Sequence, residues 1–337
     1  MIERLPHANE RPIVVFVGPT AVGKSAVALR VARALNTEVL AADSRQVYRG
    51  MDIATDKPNP EQQAIVPHRL IDLVDPDEPF NAGSYRRAAE KEIARLHAAG
   101  KLPLIVGGTG LYVRVLLHGL CGGPEADPAL RAELESEADR LGSTVLHRRL
   151  AERDPIAAAR VHPNDRRKVI RALEVYDRTG QPLSVWHKGH AFAQRPYRAL
   201  LIGLQRDRQA LYARIEERID SMLRQGVIEE TAHLLAKGYG RELGAMKGLG
   251  YKQIAGYLVG DYDRDEAVRL LKRDTRRFAK RQLTWFRKEP GIHWLTLESD
   301  GNARAEDQGV ARALDMIRRF LDEVPIGPTS VPVEGGV

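Results

Sequence analysis

Gly18, Pro19, Thr20, Ala21, Val22, Gly23, Lys24 and Ser25 form a complete glycine-rich phosphate loop. In such a loop the backbone N–H groups turn inward onto phosphate oxygens, and the helix that follows adds positive potential at its N-terminus. Lys24 then reaches the terminal phosphates, and the Ser25 hydroxyl is a ligand for Mg²⁺. Thr20 is a further hydroxyl inside the loop, either a turn residue or a donor to a bridging oxygen. Asp43 closes the next apolar run, in "AADSRQVYRGMDIATDKP". Ligands of open α/β sheets bind beyond the carboxyl ends of strands, which puts Asp43 on the phosphate side. It suits a general base or a partner of the metal, or it caps a helix. The chemistry within reach is phosphoryl transfer, nucleotide hydrolysis, or departure of a diphosphate.

These residues need a frame. "IVVFV" (13–17) reads as a buried parallel strand, with a helix over 25–35 after the loop. Strands are expected within 37–44, 68–75 and 101–110, the last running into "GGTGLY" (107–112), and a helix over 84–100 ends at Gly100. Strands alternating with helices predict a parallel sheet covered on both faces. Residues 124–188 carry helical segments and no convincing strand. The expected organisation is thus an α/β core (11–120 and 199–322) with an all-helical insertion at 121–198. Strand character returns at 197–204. Leu211, Ile215, Ile219 and Met222 then recur at helical spacing in 207–226. The Pro/Gly-rich tail 323–337 is expected to be disordered.

Composition narrows the class. With 337 residues and 43% hydrophobic content the chain can build a proper core. No apolar run approaches the roughly 20 residues of a membrane helix, and residues 1–12 lack the apolar stretch of a signal peptide. The single cysteine, Cys121, excludes an internal disulfide and a cysteine-cluster zinc site. A cytoplasmic protein with no membrane partner is the expectation.

The formal charge of +7 is compatible with a polyanionic partner, and its distribution is more telling. Arg167 and Arg171 share a helix face with Lys168 beside them, while Val169, Ile170, Leu173 and Tyr176 form the apolar face. The stripe Arg269, Arg273, Arg276 or Arg277, and Lys280 has the spacing to track a nucleic-acid backbone; a solvated face is the plain alternative for both. "MKGLGYKQ" adds Lys247, Lys252 and Tyr251, which either stacks on a base or packs. Arg218 has no role that its spacing alone assigns.

In order along the chain, "GPTAVGKS", "DSRQVYRGMDIATDKP", "PHRLID", "GGTGLY", "HPNDRRKVIRALEV", "GLGYKQ" and "KRQLTWFR" resemble the bacterial tRNA dimethylallyltransferases, also called tRNA isopentenyltransferases. The resemblance runs from about Pro12 to Trp294, and the blocks around Asp43 and Lys280-Arg281-Gln282 are its most specific parts. It implies a P-loop NTPase-like fold that moves a prenyl group. The dimethylallyl group of dimethylallyl diphosphate would pass to N6 of the adenosine just 3′ of the anticodon. By resemblance Asp43 takes the N6 proton, and Thr20 and Arg218 act on the diphosphate oxygens. Lys24, with Mg²⁺ held partly by Ser25, neutralises the leaving group. Contacts to the tRNA anticodon stem-loop are implied for Asp43, Ser44, Arg45 and Gln46; Thr109 and Arg131; Arg167, Lys168, Val169, Ile170 and Arg171; Lys247, Gly248, Leu249, Gly250, Tyr251 and Lys252; and Lys280, Arg281 and Gln282. The chain would act as a monomer.

The match has departures. "AVGKS" stands where "ASGKT" is usual, and "DIATDKP" where "DIGTAKP" is usual, which introduces Asp56. Arg69 replaces a common histidine, and Lys252 an arginine. The alternative class is a P-loop small-molecule kinase, with the arginine-rich segment 164–171 as its lid.

Overall fold

Strand β1 (Pro12–Val17) is buried along its whole length, the reason its sequence is an unbroken apolar run. The computed structural model describes residues 11–120, 123–124, 126–190, 195–298 and 303–322; Cys121 and the tail expected to be disordered lie outside them. After β1 come α1 (Lys24–Ala34), β2 (Val39–Ala41), α2 (Pro60–Ile65), β3 (His68–Arg69), α3 (Ala82–Ala98), β4 (Leu104–Gly107) and α4 (Gly110–His118). Helices α5 (Pro128–Leu141), α6 (Ser143–Arg153), α7 (Pro155–Arg160), α8 (Arg166–Thr179) and α9 (Leu183–His190) follow without a strand. The sheet resumes with β5 (Arg198–Gln205), then α10 (Arg208–Arg224), α11 (Val227–Ala236), α12 (Tyr251–Leu258), α13 (Arg264–Phe286), β6 (Ile292–Thr296) and α14 (Ala303–Leu321).

The chain divides into two compact units, His118–Arg195 and the remainder. In the larger unit six parallel strands lie in the order β3-β2-β4-β1-β5-β6. Val15 sits between Ile105 of β4 and Leu201 of β5. Pleating sends alternate residues to opposite faces. Val14 and Phe16 pack with residues of α1, α10, α13 and α14, whereas Ile13, Val15 and Val17 pack with α3 and α4. Because the strands are parallel, the loops after β1, β2, β4 and β5 all leave the same edge.

The third strand is shorter than the sequence implies. Leu70 and Asp72 adopt positive φ (66 and 53), and that left-handed backbone ends the extended run at Arg69. The edge strand β6 has no clear signal in "IHWLT", since only Leu295 is buried, Ile292, His293 and Trp294 are half-buried and Thr296 is exposed.

The smaller unit is organised by an apolar core that includes Leu134, Leu146, Leu150, Val169, Ile170 and Leu173. At its centre Glu174 is fully buried. Its carboxylate accepts from Arg131 Nε at 2.9 Å and Nη2 at 2.8 Å, from Arg171 Nη1 at 2.6 Å and from the Asp127 N–H at 2.7 Å. Burial alone would raise the pKa of this group. The hydrogen bonds from Arg131 and Arg171 outweigh that and hold it below the usual range.

Candidate active site

The glycine loop joins β1 to α1, and Gly18 shows why glycine stands at its entrance. Its φ is +145, and a Cβ there would lie 2.5 Å from the Leu204 carbonyl oxygen. Gly23 heads α1 in a left-handed conformation with no side-chain cap, which leaves the first helical N–H groups available to an anion. Lys24 Nζ folds back on the loop and donates to Gly18 O at 3.0 Å and Pro19 O at 2.7 Å. Burial is the main cause that lowers Lys24 to about 8; Asp43 pulls it upward, Arg218 adds to the depression, and Asp56 opposes it. Ser25 is exposed at the start of α1.

A cavity of about 620 Å³ opens on this loop, lined among others by Thr20, Lys24, Asp43, Asp56, Arg218 and Gln282. Asp43 lies just past β2. Its Oδ1 accepts the N–H of Arg45 at 2.8 Å and of Gln46 at 3.4 Å, so the carboxylate caps the turn that follows. No hydrogen bond commits Oδ2 among the described residues. Both sequence roles are therefore compatible in one residue: a cap through one oxygen, a base through the other. Arg218, on the C-terminal half of α10, donates from Nη1 to Thr20 Oγ1 at 2.7 Å. That contact spans 198 residues of chain and explains why spacing alone gave Arg218 no role.

The loops after β2 and β4 are stitched together. Thr109 Oγ1 accepts the Ser44 N–H at 3.0 Å. Arg45 Nη1 donates to Gly244 O at 2.6 Å and Ala245 O at 3.3 Å, which holds the segment leading to Lys247. Gln46 Nε2 donates to Thr55 O and Asp56 O at 3.2 and 3.0 Å.

Several residues expected on an RNA-facing surface are placed differently. Gln282 is only 8% exposed; its Oε1 accepts the Thr20 N–H at 2.9 Å and its Nε2 donates to Gly108 O at 3.0 Å. It pins the phosphate loop to the turn after β4, because α13 passes directly behind both. Tyr251 packs rather than stacks: it is fully buried, with its hydroxyl donating to Glu230 at 2.6 Å. The side chains of Val169 and Ile170 belong to the apolar core of the smaller unit. Arg131 and Arg171 are engaged with Glu174, and Lys168 pairs with Asp165. The expected basic stripe on α13 is largely matched by carboxylates: Arg269 with Glu266, Arg273 with Asp274, Arg276 with Glu216. Lys247, Lys252, Lys280 and Arg281 are exposed. Arg167 is also exposed, and it forms no ion pair among the described residues.

Two supports of the loop were missed in the sequence. Arg206 Nε donates to Val22 O at 2.9 Å, and Arg214 Nε to Ala21 O at 3.2 Å. Arg206 follows β5 immediately, and its place at the carboxyl edge of the sheet was a usable signal. No group of three or more His, Cys, Asp or Glu side chains is poised around a metal among the described residues.

Comparison with known proteins is consistent with this geometry. The family described as IPP transferase matches residues 46–289. A tRNA dimethylallyltransferase of Syntrophobacter fumaroxidans is 54% identical over 284 residues, 84% of this chain and 83% of that protein. One from Geobacter sulfurreducens is 52% identical, over 85% of this chain and 92% of that protein. The crystal structure of a full-length tRNA isopentenylpyrophosphate transferase from Bacillus halodurans superposes with a TM-score of 0.69 at 40% identity, covering 93% and 98% of the two chains. A eukaryotic dimethylallyltransferase acting on tRNA superposes with a TM-score of 0.80 at 27% identity, covering 94% and 80%.

Proposed function

The chain belongs to the IPP transferase family, and we propose that it transfers the dimethylallyl group of dimethylallyl diphosphate to N6 of the adenosine 3′ of the anticodon in tRNA, releasing diphosphate. The observation that carries this reading is the convergence of Thr20, Lys24, Asp43 and Arg218 on one cavity at the carboxyl edge of the sheet. A small-molecule kinase is not favoured, since the family match covers most of the chain.

The reaction asks three things of these residues. The adenine must leave its stack to be reached. As N6 bonds to C1 of the prenyl group, the C–O bond breaks and its electron pair stays on the diphosphate. Lys24, Arg218, Thr20 and the loop amides meet that developing charge as preorganised donors. The proton on N6 passes to Asp43 Oδ2, the carboxylate oxygen that no hydrogen bond occupies among the described residues. Val39, Val106 and Met222 line the same cavity and offer apolar surface to the five-carbon chain. Mg²⁺ commonly takes one or two protein oxygens together with substrate phosphates and water. The exposed Ser25 hydroxyl, with Asp43 on the same cavity, fits such a donor set. The metal when bound would neutralise diphosphate charge.

We assign RNA contact first to the exposed cations Arg167, Lys247, Lys252, Lys280 and Arg281. Arg45, Thr109 and Gln46 order the loop from which Asp43 acts. No helix among the described residues is long and apolar enough to cross a membrane, and we place the enzyme in the cytoplasm as a monomer.

The deciding experiment supplies unmodified tRNA, Mg²⁺ and either labelled dimethylallyl diphosphate or labelled ATP. Label from the prenyl donor should reach the tRNA. Transfer from neither, with phosphorylation of a small metabolite, would overturn the assignment. Arg167→Ala should weaken tRNA binding and lower the slope of log affinity against log salt by about 1; an unchanged slope would place that helix face away from RNA.

Lys24 imposes a pH limit. A bound diphosphate beside Nζ raises its pKa from about 8 in the free protein. Above that pH, binding must take up a proton. Affinity for dimethylallyl diphosphate should therefore hold constant between about pH 7, where the diphosphate is fully ionised, and about pH 8, and fall by up to tenfold per unit above it. Titration calorimetry in buffers of different ionisation enthalpy reads both the affinity and the proton. A flat profile would mean that Lys24 does not meet the anion.

A further inference from the structure

Asp56 occupies an unusual place. Its Oδ2 lies 3.4 Å from Arg218 Nη1, the same atom that donates to Thr20 Oγ1. Its backbone is left-handed, φ 57, a conformation uncommon for a residue with a Cβ. That conformation is held from both sides: the Asp56 N–H donates to Ile53 O at 3.1 Å, and Gln46 Nε2 donates to the Asp56 carbonyl at 3.0 Å. Nearest the phosphate loop the cavity thus sets Lys24 and Arg218 against Asp43 and Asp56, while Lys57 is taken up by Asp52 and Asp72. Asp43 has a task in proton transfer. Asp56 has none, and a carboxylate beside a diphosphate site works against anion binding.

Resting on the function proposed above, we propose that Asp56 is a specificity-determining residue, an internal anion that occupies Arg218 until a diphosphate displaces it and reclaims Arg218 as the product leaves. Two consequences follow from charge alone. Diphosphate binds less tightly than the loop, Lys24 and Arg218 would allow, which favours release. A triphosphate, carrying more negative charge past the same carboxylate, is disfavoured more strongly than a diphosphate. Asp56 is about half exposed, so solvent screening keeps the effect moderate.

The test is Asp56→Asn, which removes the charge and keeps a residue type that tolerates left-handed backbone. Calorimetric titration of the full chain with inorganic diphosphate, and separately with ATP, should show diphosphate binding roughly three- to fivefold tighter in the variant. ATP should gain more than diphosphate, and both gains should shrink as salt is raised. Product inhibition of prenyl transfer by diphosphate should tighten by the same factor. A residue that merely supports its loop cannot produce a gain on removal of its charge. Unchanged or weaker diphosphate binding in Asp56→Asn would overturn the proposal. Tightened diphosphate binding in a protein whose wild type transfers no prenyl group would sustain it and sink the functional reading instead.

Discussion

Asp43→Ala should lower prenyl transfer by about 10²- to 10⁴-fold, the range over which a positioned general base contributes. The loss arises at Oδ2, which no hydrogen bond engages among the described residues, whereas Oδ1 is bound to the Arg45 and Gln46 amides. Those two roles can be separated. Asp43→Asn keeps an oxygen to cap the turn and abolishes the base, so it should retain the fold of the 44–47 turn and lose the rate. Alanine loses both. Equal rate losses in the two variants, with tRNA affinity and thermal stability near wild type in Asp43→Asn, would identify proton removal as the lost function. Near-normal turnover in Asp43→Asn would remove Asp43 from that role.

Arg218→Ala should cost about 10²- to 10³-fold in the transfer rate, the usual price of one donor aimed at developing charge. The guanidinium reaches Thr20 Oγ1 with one nitrogen and has further donors for oxygens of the leaving group. Lysine keeps the charge and lacks the planar fork, so Arg218→Lys should recover only part of the rate. Because Arg218 and Thr20 act as a unit, the double variant Arg218→Ala, Thr20→Val should lose less than the product of the two single losses. Strict multiplicativity would show that the two side chains serve separate steps.

Local patterns made some of this readable. The loop from Gly18 to Ser25 is contiguous, and its strand and helix are set by neighbours in sequence, so its position needed no tertiary information. Asp43 was legible because a parallel sheet sends every strand end to one edge. What stayed hidden depends on contacts between distant segments. Gln282 looks like one more polar residue of a basic helix until α13 is seen to pass behind Thr20, 262 residues away in sequence. Arg131 and Arg171 look like surface cations until Glu174 is found buried between them. The pairing along the α13 stripe was only partly legible: Glu266 and Asp274 lie on the same helix as Arg269 and Arg273, whereas the partner of Arg276, Glu216, comes from α10. The end of β3 was set by backbone handedness at Leu70 and Asp72, which neither residue type signals.

The hold of Gln282 on the glycine loop has a consequence for how that loop behaves in time. The Thr20 amide is tied to a buried side chain of α13, and the Ala21 and Val22 carbonyls are tied to Arg214 and Arg206. The conformational entropy of the loop is thus surrendered when the protein folds, not when the ligand arrives. Amide exchange at Thr20 should be slow even in ligand-free protein, limited by the opening of α13. The phosphate cradle then has no independent melting transition: whatever loosens that helix, however far from the cavity, loosens the grip on diphosphate in the same step.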